Sequence, residues 1–185
     1  MHLRRRLGRV GRPLDLDGRQ QEMLAPWFEL QAGRGCPLCA PRPAIGEFTY
    51  LVCVLSMSSL YLVRNQAYRG SCVVVYDPAH VTRPSELDPD SWRRLCDDVR
   101  SAESVISSVL RPDHVNVEFL GNTVPHLHAG ITPRYRSDPR WGGPIWTTSR
   151  EEMPQVPFTD AECEELAGLL RERILRLPNF RWSGP

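Results

Sequence analysis

The stretch from Asp88 to Leu110 constrains the fold most. Trp92, Leu95, Val99, Ala102, Ile106 and Val109 recur at intervals of three and four, which gathers them into one stripe of an α-helix. Asp88 is a good N-cap, and Pro89 fits the first helical position, where a missing N–H costs nothing. A long helix with a single apolar stripe must bury that stripe, and a sheet face is the natural partner.

The strands of that sheet can be read on both sides of the helix. Phe48–Leu55, Leu60–Val63 and Ser71–Asp77 precede it, Val115–Leu120 follows, and His126–Thr132 is a fifth. Strands in hairpin-like succession, then a long helix, then two more strands, predict an α+β domain with an antiparallel sheet. There is no βαβ alternation, no GxGxxG and no GxxxxGK[ST], so dinucleotide-binding and P-loop folds are excluded. A second amphipathic helix is expected over Thr159–Leu177. Thr159 and Glu162 form a capping box, Phe158 stands just outside it, and Pro178 ends the helix. Its apolar side is read as Leu166, Leu169, Leu170, Ile174 and Leu175. A shorter helix over Leu16–Gln31, with Met23, Leu24, Trp27, Phe28 and Leu30 apolar, is expected to be interrupted at Pro26.

Composition narrows the functional classes. At 185 residues the chain is long enough for one well-cored domain with appended segments. We divide it into an N-terminal arm and helix (1–35), a central domain (36–146) and a C-terminal helical extension (147–185) packed on the same domain. A formal net charge of +1 gives no electrostatic reason to expect polymeric nucleic acid or a membrane surface as partner. No run approaches the roughly 20 apolar residues of a membrane span. The basic start MHLRRRLGRVGRP is not followed by an apolar segment, so residues 1–17 read as a solvated, mobile arm and the expected location is cytoplasmic.

Of six cysteines, Cys53, Cys72, Cys96 and Cys163 fall within strand or helix patterns and read as small buried apolar residues. Cys36-Pro-Leu-Cys39 is different: a tight knuckle with CxxC spacing, half of a tetrahedral metal site or a redox pair. The other chemical cluster is His126-Leu127-His128. If Val124–Thr132 is extended, His126, His128 and Gly130 share one face, with the two imidazoles roughly 7 Å apart. Such a pair suits a metal ligand beside a nucleophile, and equally a polar strand face with two solvated histidines.

These pieces together resemble a known family. Val73-Val74-Val75-Tyr76-Asp77-Pro78-Ala79-His80, then Pro84-Ser85-Glu86-Leu87, a long helix, and Leu120-Gly121-Asn122-Thr123-Val124-Pro125-His126-Leu127-His128 follow the order of the histidine-triad (HIT) superfamily. Ile131-Thr132-Pro133-Arg134-Tyr135, Asp138-Pro139-Arg140-Trp141 and Pro144-Ile145-Trp146 are similar to its bacterial hydrolase-type members. The resemblance implies a five-stranded antiparallel sheet with a long helix packed on it, and a homodimer. It implies a nucleotide hydrolase or nucleotidyltransferase acting on a nucleotide or nucleotide conjugate at the α-phosphate. His128 would be the nucleophile, forming a covalent nucleotidyl-histidine, with Thr123 and Asn122 as donors to the phosphoryl oxygens. Asn65 stands where relatives hold the ribose, and Arg134 is a further candidate for binding the nucleotide. Zinc-bearing members imply a structural zinc on Cys36, Cys39, His80 and His126.

One position departs from the family. The third histidine of the motif is Gly130, and Ala129 is small where relatives carry a bulkier residue. Losing one preorganised donor typically slows chemistry by about 10²–10³. Three readings follow: a hydrolase or transferase in which another group, such as Arg134 or Arg136, replaces the donor; a specialised transferase with an enlarged pocket; or a non-catalytic nucleotide-binding descendant.

Overall fold

The computed structural model describes residues 18–138, 140–147 and 152–178; the expected arm over 1–17 lies outside them. Helix α1 spans Gly18–Gln31. Three strands follow, β1 Thr49–Val54, β2 Ser58–Val63 and β3 Cys72–Tyr76. The long helix α2 is Pro89–Leu110, then come β4 His114–Glu118, β5 His128–Arg134 and the last helix α3, Asp160–Leu175. The five strands form one antiparallel sheet in the order β1-β2-β3-β5-β4. The expected α+β architecture, five strands with a long helix on one face, is the observed one.

Alternation along the strands divides the sheet into two faces. Leu60, Leu62, Val74, Ala129 and Ile131 point to one side, where they form a single core with Leu95, Val99, Ala102 and Ile106 of α2. Asp88 caps α2 as expected, accepting from the backbone N–H groups of Asp90 and Ser91. One member of the helix face was not foreseen: Asp98 is buried. Its carboxylate accepts from the N–H of Ser56 (3.2 Å), the N–H of Met57 (2.8 Å) and the hydroxyl of Ser58 (2.8 Å), fastening the β1–β2 turn to the helix.

Helix α3 joins the same core through Cys163, Leu166, Ala167, Leu170 and Ile174. Its N-terminus carries the expected capping box between Thr159 and Glu162. The apolar stripe needs correction, because Leu169 and Leu175 are 50% and 47% exposed while Cys163 and Ala167 are inside. Arg171 of α3 donates to the carbonyls of Val52 (2.7 Å) and Leu51 (3.4 Å), where the register of β1 shifts. An edge strand with a bulge is thereby closed against further pairing.

Two other expectations fail. The interruption at Pro26 does not occur, since proline removes one N–H from the ladder but its φ is helical, and α1 runs through it. The last strand starts at His128 and not at His126. The N–H of His126 is turned back onto the carbonyl of Val124 at 2.8 Å, so the two histidines do not alternate along one strand.

Candidate active site and metal centre

Opposite the helices, the free face of the sheet carries two clusters side by side. The first begins at the end of α1, where Gly33, with φ +82°, turns the chain so closely past His80 that an added Cβ would lie 3.4 Å from the imidazole. The knuckle follows, with the N–H groups of Cys39 and Ala40 both bonded to the carbonyl of Cys36. Arg42 clamps it to the sheet, donating to the Tyr61 hydroxyl (3.1 Å) and pairing with Asp77. The result brings Cys36, Cys39, His80 and His126 together, with one ligand atom from each lying within 4.8 Å of all the others.

The ring orientations suit a cation. His126 Nε2 lies 2.7 Å from the carbonyl of Tyr76, and His80 Nε2 lies 3.1 Å from that of Gln31. A ring nitrogen against a carbonyl oxygen must be the protonated one, so both Nδ1 atoms present lone pairs. They face the sulfurs: Cys36 Sγ to His126 Nδ1 is 3.6 Å, Cys39 Sγ to His126 Nδ1 3.4 Å, and Cys39 Sγ to His80 Nδ1 3.2 Å. A tetrahedral site with ordinary zinc–sulfur and zinc–nitrogen bonds has sulfur–nitrogen edges of about 3.5 Å. Burial holds the His126 imidazole below its ordinary value and so in the neutral form a ligand needs. Burial, and then the Cys36 sulfur beside it, push the Cys39 thiol up. A thiol held protonated in this way is one that a divalent cation would stabilise as thiolate. The residues present fit a closed, four-ligand metal centre.

The second cluster lies around His128. Its Nδ1 is 2.6 Å from the backbone carbonyl of His126, which makes Nδ1 the donor and leaves the lone pair on Nε2. His128 lines a cleft of about 340 Å³ with apolar walls that include Val63, Val73, Leu120, Ile145, Trp146 and Met153. That is at the lower end of the sizes typical of small-molecule sites. Gly130 and Thr132 follow His128 on the same face, and Glu118 stands opposite Gly130 across the β4–β5 pair. A Cβ on Gly130 would meet only the Glu118 carbonyl, at 3.9 Å. The missing side chain is therefore not a packing requirement, and it opens space beside the imidazole.

The remaining expected residues are distributed less tidily. Asn122 and Thr123 are exposed in the loop between β4 and β5 and do not line the cleft. Asn65 does line it, but its amide is spent within the protein: Nδ2 donates to the Pro154 carbonyl (3.1 Å) and Gln155 Oε1 (3.3 Å), and Oδ1 accepts from the N–H of Val156 (2.9 Å) and Ala67 (3.3 Å). It is a strut for the segment that brings Met153 to the cleft, and the expected ribose role is corrected accordingly. Arg134 is 3% exposed and ties Asp138, Asn116 and the carbonyls of Arg140 and Gly143 together. Its guanidinium anchors the chain after β5 and is not free to serve a phosphate. Arg136 pairs with Asp113 at 3.2 Å, away from the cleft lining. Glu118, Thr132 and Trp146 are cleft residues that the sequence reading did not single out. Thr132 was within reach, by counting alternate positions from His128; Glu118 required the register of β4 on β5.

Solved structures share this fold. The chain is similar to a histidine-triad protein from Sinorhizobium meliloti, with 19% identity and a TM-score of 0.64 over 75% of this chain and 99% of that one. It matches a histidine-triad protein from Marinobacter aquaeolei at 24% identity and TM-score 0.63, over 70% and 91% of the two chains. For one from Bradyrhizobium japonicum the values are 22% and 0.64, over 75% and 99%. This chain has the histidine-triad fold. No protein-family model and no curated protein matches the sequence. Within the histidine-triad fold, His128 occupies the strand start beside the cleft, and His126, two residues before it, belongs to the Cys/His quartet.

Proposed function

We propose that the protein is a nucleotide hydrolase or nucleotidyltransferase that works through a nucleotidyl-His128 intermediate. The observation that carries this reading is the orientation of His128: a backbone carbonyl takes the Nδ1 hydrogen bond, so Nε2 is the ring nitrogen left to act as nucleophile in the cleft. Covalent catalysis then divides one displacement at phosphorus into two. The apolar walls suit a planar base, and the exposed hydroxyl of Thr123 and amide of Asn122, in the loop before β5, are short donors for the phosphoryl oxygens. Among the described residues no helix is long and apolar enough to cross a membrane.

Zinc on Cys36, Cys39, His80 and His126 belongs to the same proposal. Two sulfur and two imidazole ligands leave no open position, so the ion would be structural and supply no water to the reaction. Because the His126 carbonyl is the acceptor for His128, fixing His126 also fixes the nucleophile. The homodimer that the family resemblance implies is part of the reading as well, and sedimentation of the purified protein checks it.

The test is incubation with dinucleoside polyphosphates, adenylyl phosphoramidates and nucleotide sugars, followed by intact-protein mass measurement. The expected result is a mass increase of one nucleotidyl group, absent in His128→Ala. Tight nucleotide binding with neither adduct nor turnover across the panel would make the protein a binder.

A further inference from the structure

Beyond Gly130 the cleft does not end. A groove of about 600 Å³ continues along β4 and under the segment carrying Trp141, and Glu118 lines both spaces. Position 130, the register partner of Glu118, has no side chain to fill the space beside it. Glu118 and Gly130 are direct register partners, so the glutamate side chain rises from the sheet on the face that carries His128, one residue pair away. Directly opposite Cβ positions lie about 5 Å apart and diagonal ones about 7–8 Å, within reach of a glutamate. Glu118 is half-buried, and among the described residues its carboxylate has no hydrogen-bond or ion-pair partner. Its neighbours are committed: Asn116 of β4 accepts from Arg134, and Asp113, just before the strand, holds Arg136. An unpaired carboxylate lining the same cleft as a nucleophilic imidazole is poor equipment for holding a phosphate. It is good equipment for taking a proton.

Resting on the nucleotidyl-His128 reading, we infer that Glu118 is the general base of the second half-reaction and that the β4 groove admits the acceptor. In the first step His128 Nε2 bonds to the α-phosphorus and the bond from phosphorus to the leaving oxygen breaks, the oxygen keeping the electron pair. In the second, a hydroxyl-bearing acceptor (water, or an alcohol lying in the groove) attacks phosphorus. Glu118 takes the acceptor's proton, the phosphorus–Nε2 bond breaks, and its electron pair returns to the ring. Glu118 then loses the proton to solvent. The proton on Nδ1 stays there throughout, donated to the His126 carbonyl. The carboxylate thus acts on the acceptor, a different task from contact with the phosphoryl group or the leaving charge.

The two steps are separable with the p-nitrophenyl ester of a nucleoside 5′-monophosphate, whose leaving group needs no proton. In Glu118→Gln, p-nitrophenolate should appear in a burst of one equivalent per active site and then at a rate at least about 100-fold below wild type, as expected for loss of a positioned base. The adduct should accumulate by mass. Hydroxylamine, which needs no base to attack, should restore release, and formate should do so in Glu118→Ala. Turnover of Glu118→Gln at the wild-type rate overturns the inference, as does equal slowing of burst and steady phase. If His128→Ala keeps the wild-type rate, the nucleophile itself is misassigned, and the role of Glu118 falls with it.

Discussion

Gly130 decides more about the chemistry than any side chain near it. Its would-be Cβ has open space, so Gly130→His should fold and place an imidazole beside His128. On simple adenylates we expect turnover to rise by up to about 100-fold, the value of one restored donor; no gain would favour a specialised transferase that needs the open passage. Arg134 makes the opposite case. It and Asp138 are 4% and 8% exposed at the side chain, so Arg134→Met leaves a buried carboxylate without its counter-charge, held among the described residues only by the Tyr135 N–H. A cost of about 3–5 kcal/mol is expected, read as a fall in Tm of roughly 10 °C or more. A stable Arg134→Met that binds nucleotide poorly would return the residue to the ligand site. The grouping of Cys36, Cys39, His80 and His126, and the place of His128 beside a cleft, were legible in the sequence because these residue types follow the order of a known family. Asn65 and Arg134 were misread because a polar side chain's partners are set by tertiary contacts, here the backbone at Pro154 and Val156 and the turn after β5. Glu118 was invisible for a similar reason: nothing in one strand says what faces it across the next.

At the scale of elements, the long helix was readable from period alone, yet the residue that locks it to the β1–β2 turn was not. Asp98 lies one position ahead of Val99 and looks like a solvated charge until Ser56, Met57 and Ser58 arrive. Asp98→Ala should cost about 2–4 kcal/mol by leaving two turn amides and a hydroxyl without their acceptor, measured by urea denaturation; a loss below 0.5 kcal/mol would mean that water replaces it. The α3 stripe was misplaced because Cys163 and Ala167 are small and read as neutral, whereas two leucines on the exposed side read as core. Its capping box carries a pH signature. The Glu162 carboxyl is held below its ordinary 4.5, first by the Thr159 N–H and then by the Thr159 hydroxyl. A lowered folded-state value means that this contribution is complete above about pH 4.5 and fades as the pH falls through the lowered value. Glu162→Gln should therefore flatten part of the acid limb of stability between pH 5 and 2, and an unchanged limb would discount the box.

For the whole molecule, the fold places two kinds of order next to each other. The Cys36, Cys39, His80 and His126 quartet, fit to hold a metal ion, joins the knuckle after α1 to the entry of β5, and an open cleft lies along the strand that follows. Metal analysis should give one equivalent of zinc in the wild type and none in Cys36→Ser, with a lower Tm in the variant; a wild type without zinc would remove the ion from the account. The architecture was legible because helix and strand periods alternate in only one compatible arrangement, while the passage past Gly130 depends on how two separate stretches meet. The most direct test of the central claim is the stereochemistry at phosphorus, using a nucleotide substrate chiral at the α-position and an oxygen-labelled acceptor. Two displacements through His128 predict net retention of configuration; inversion would mean a single direct displacement and would contradict the covalent intermediate.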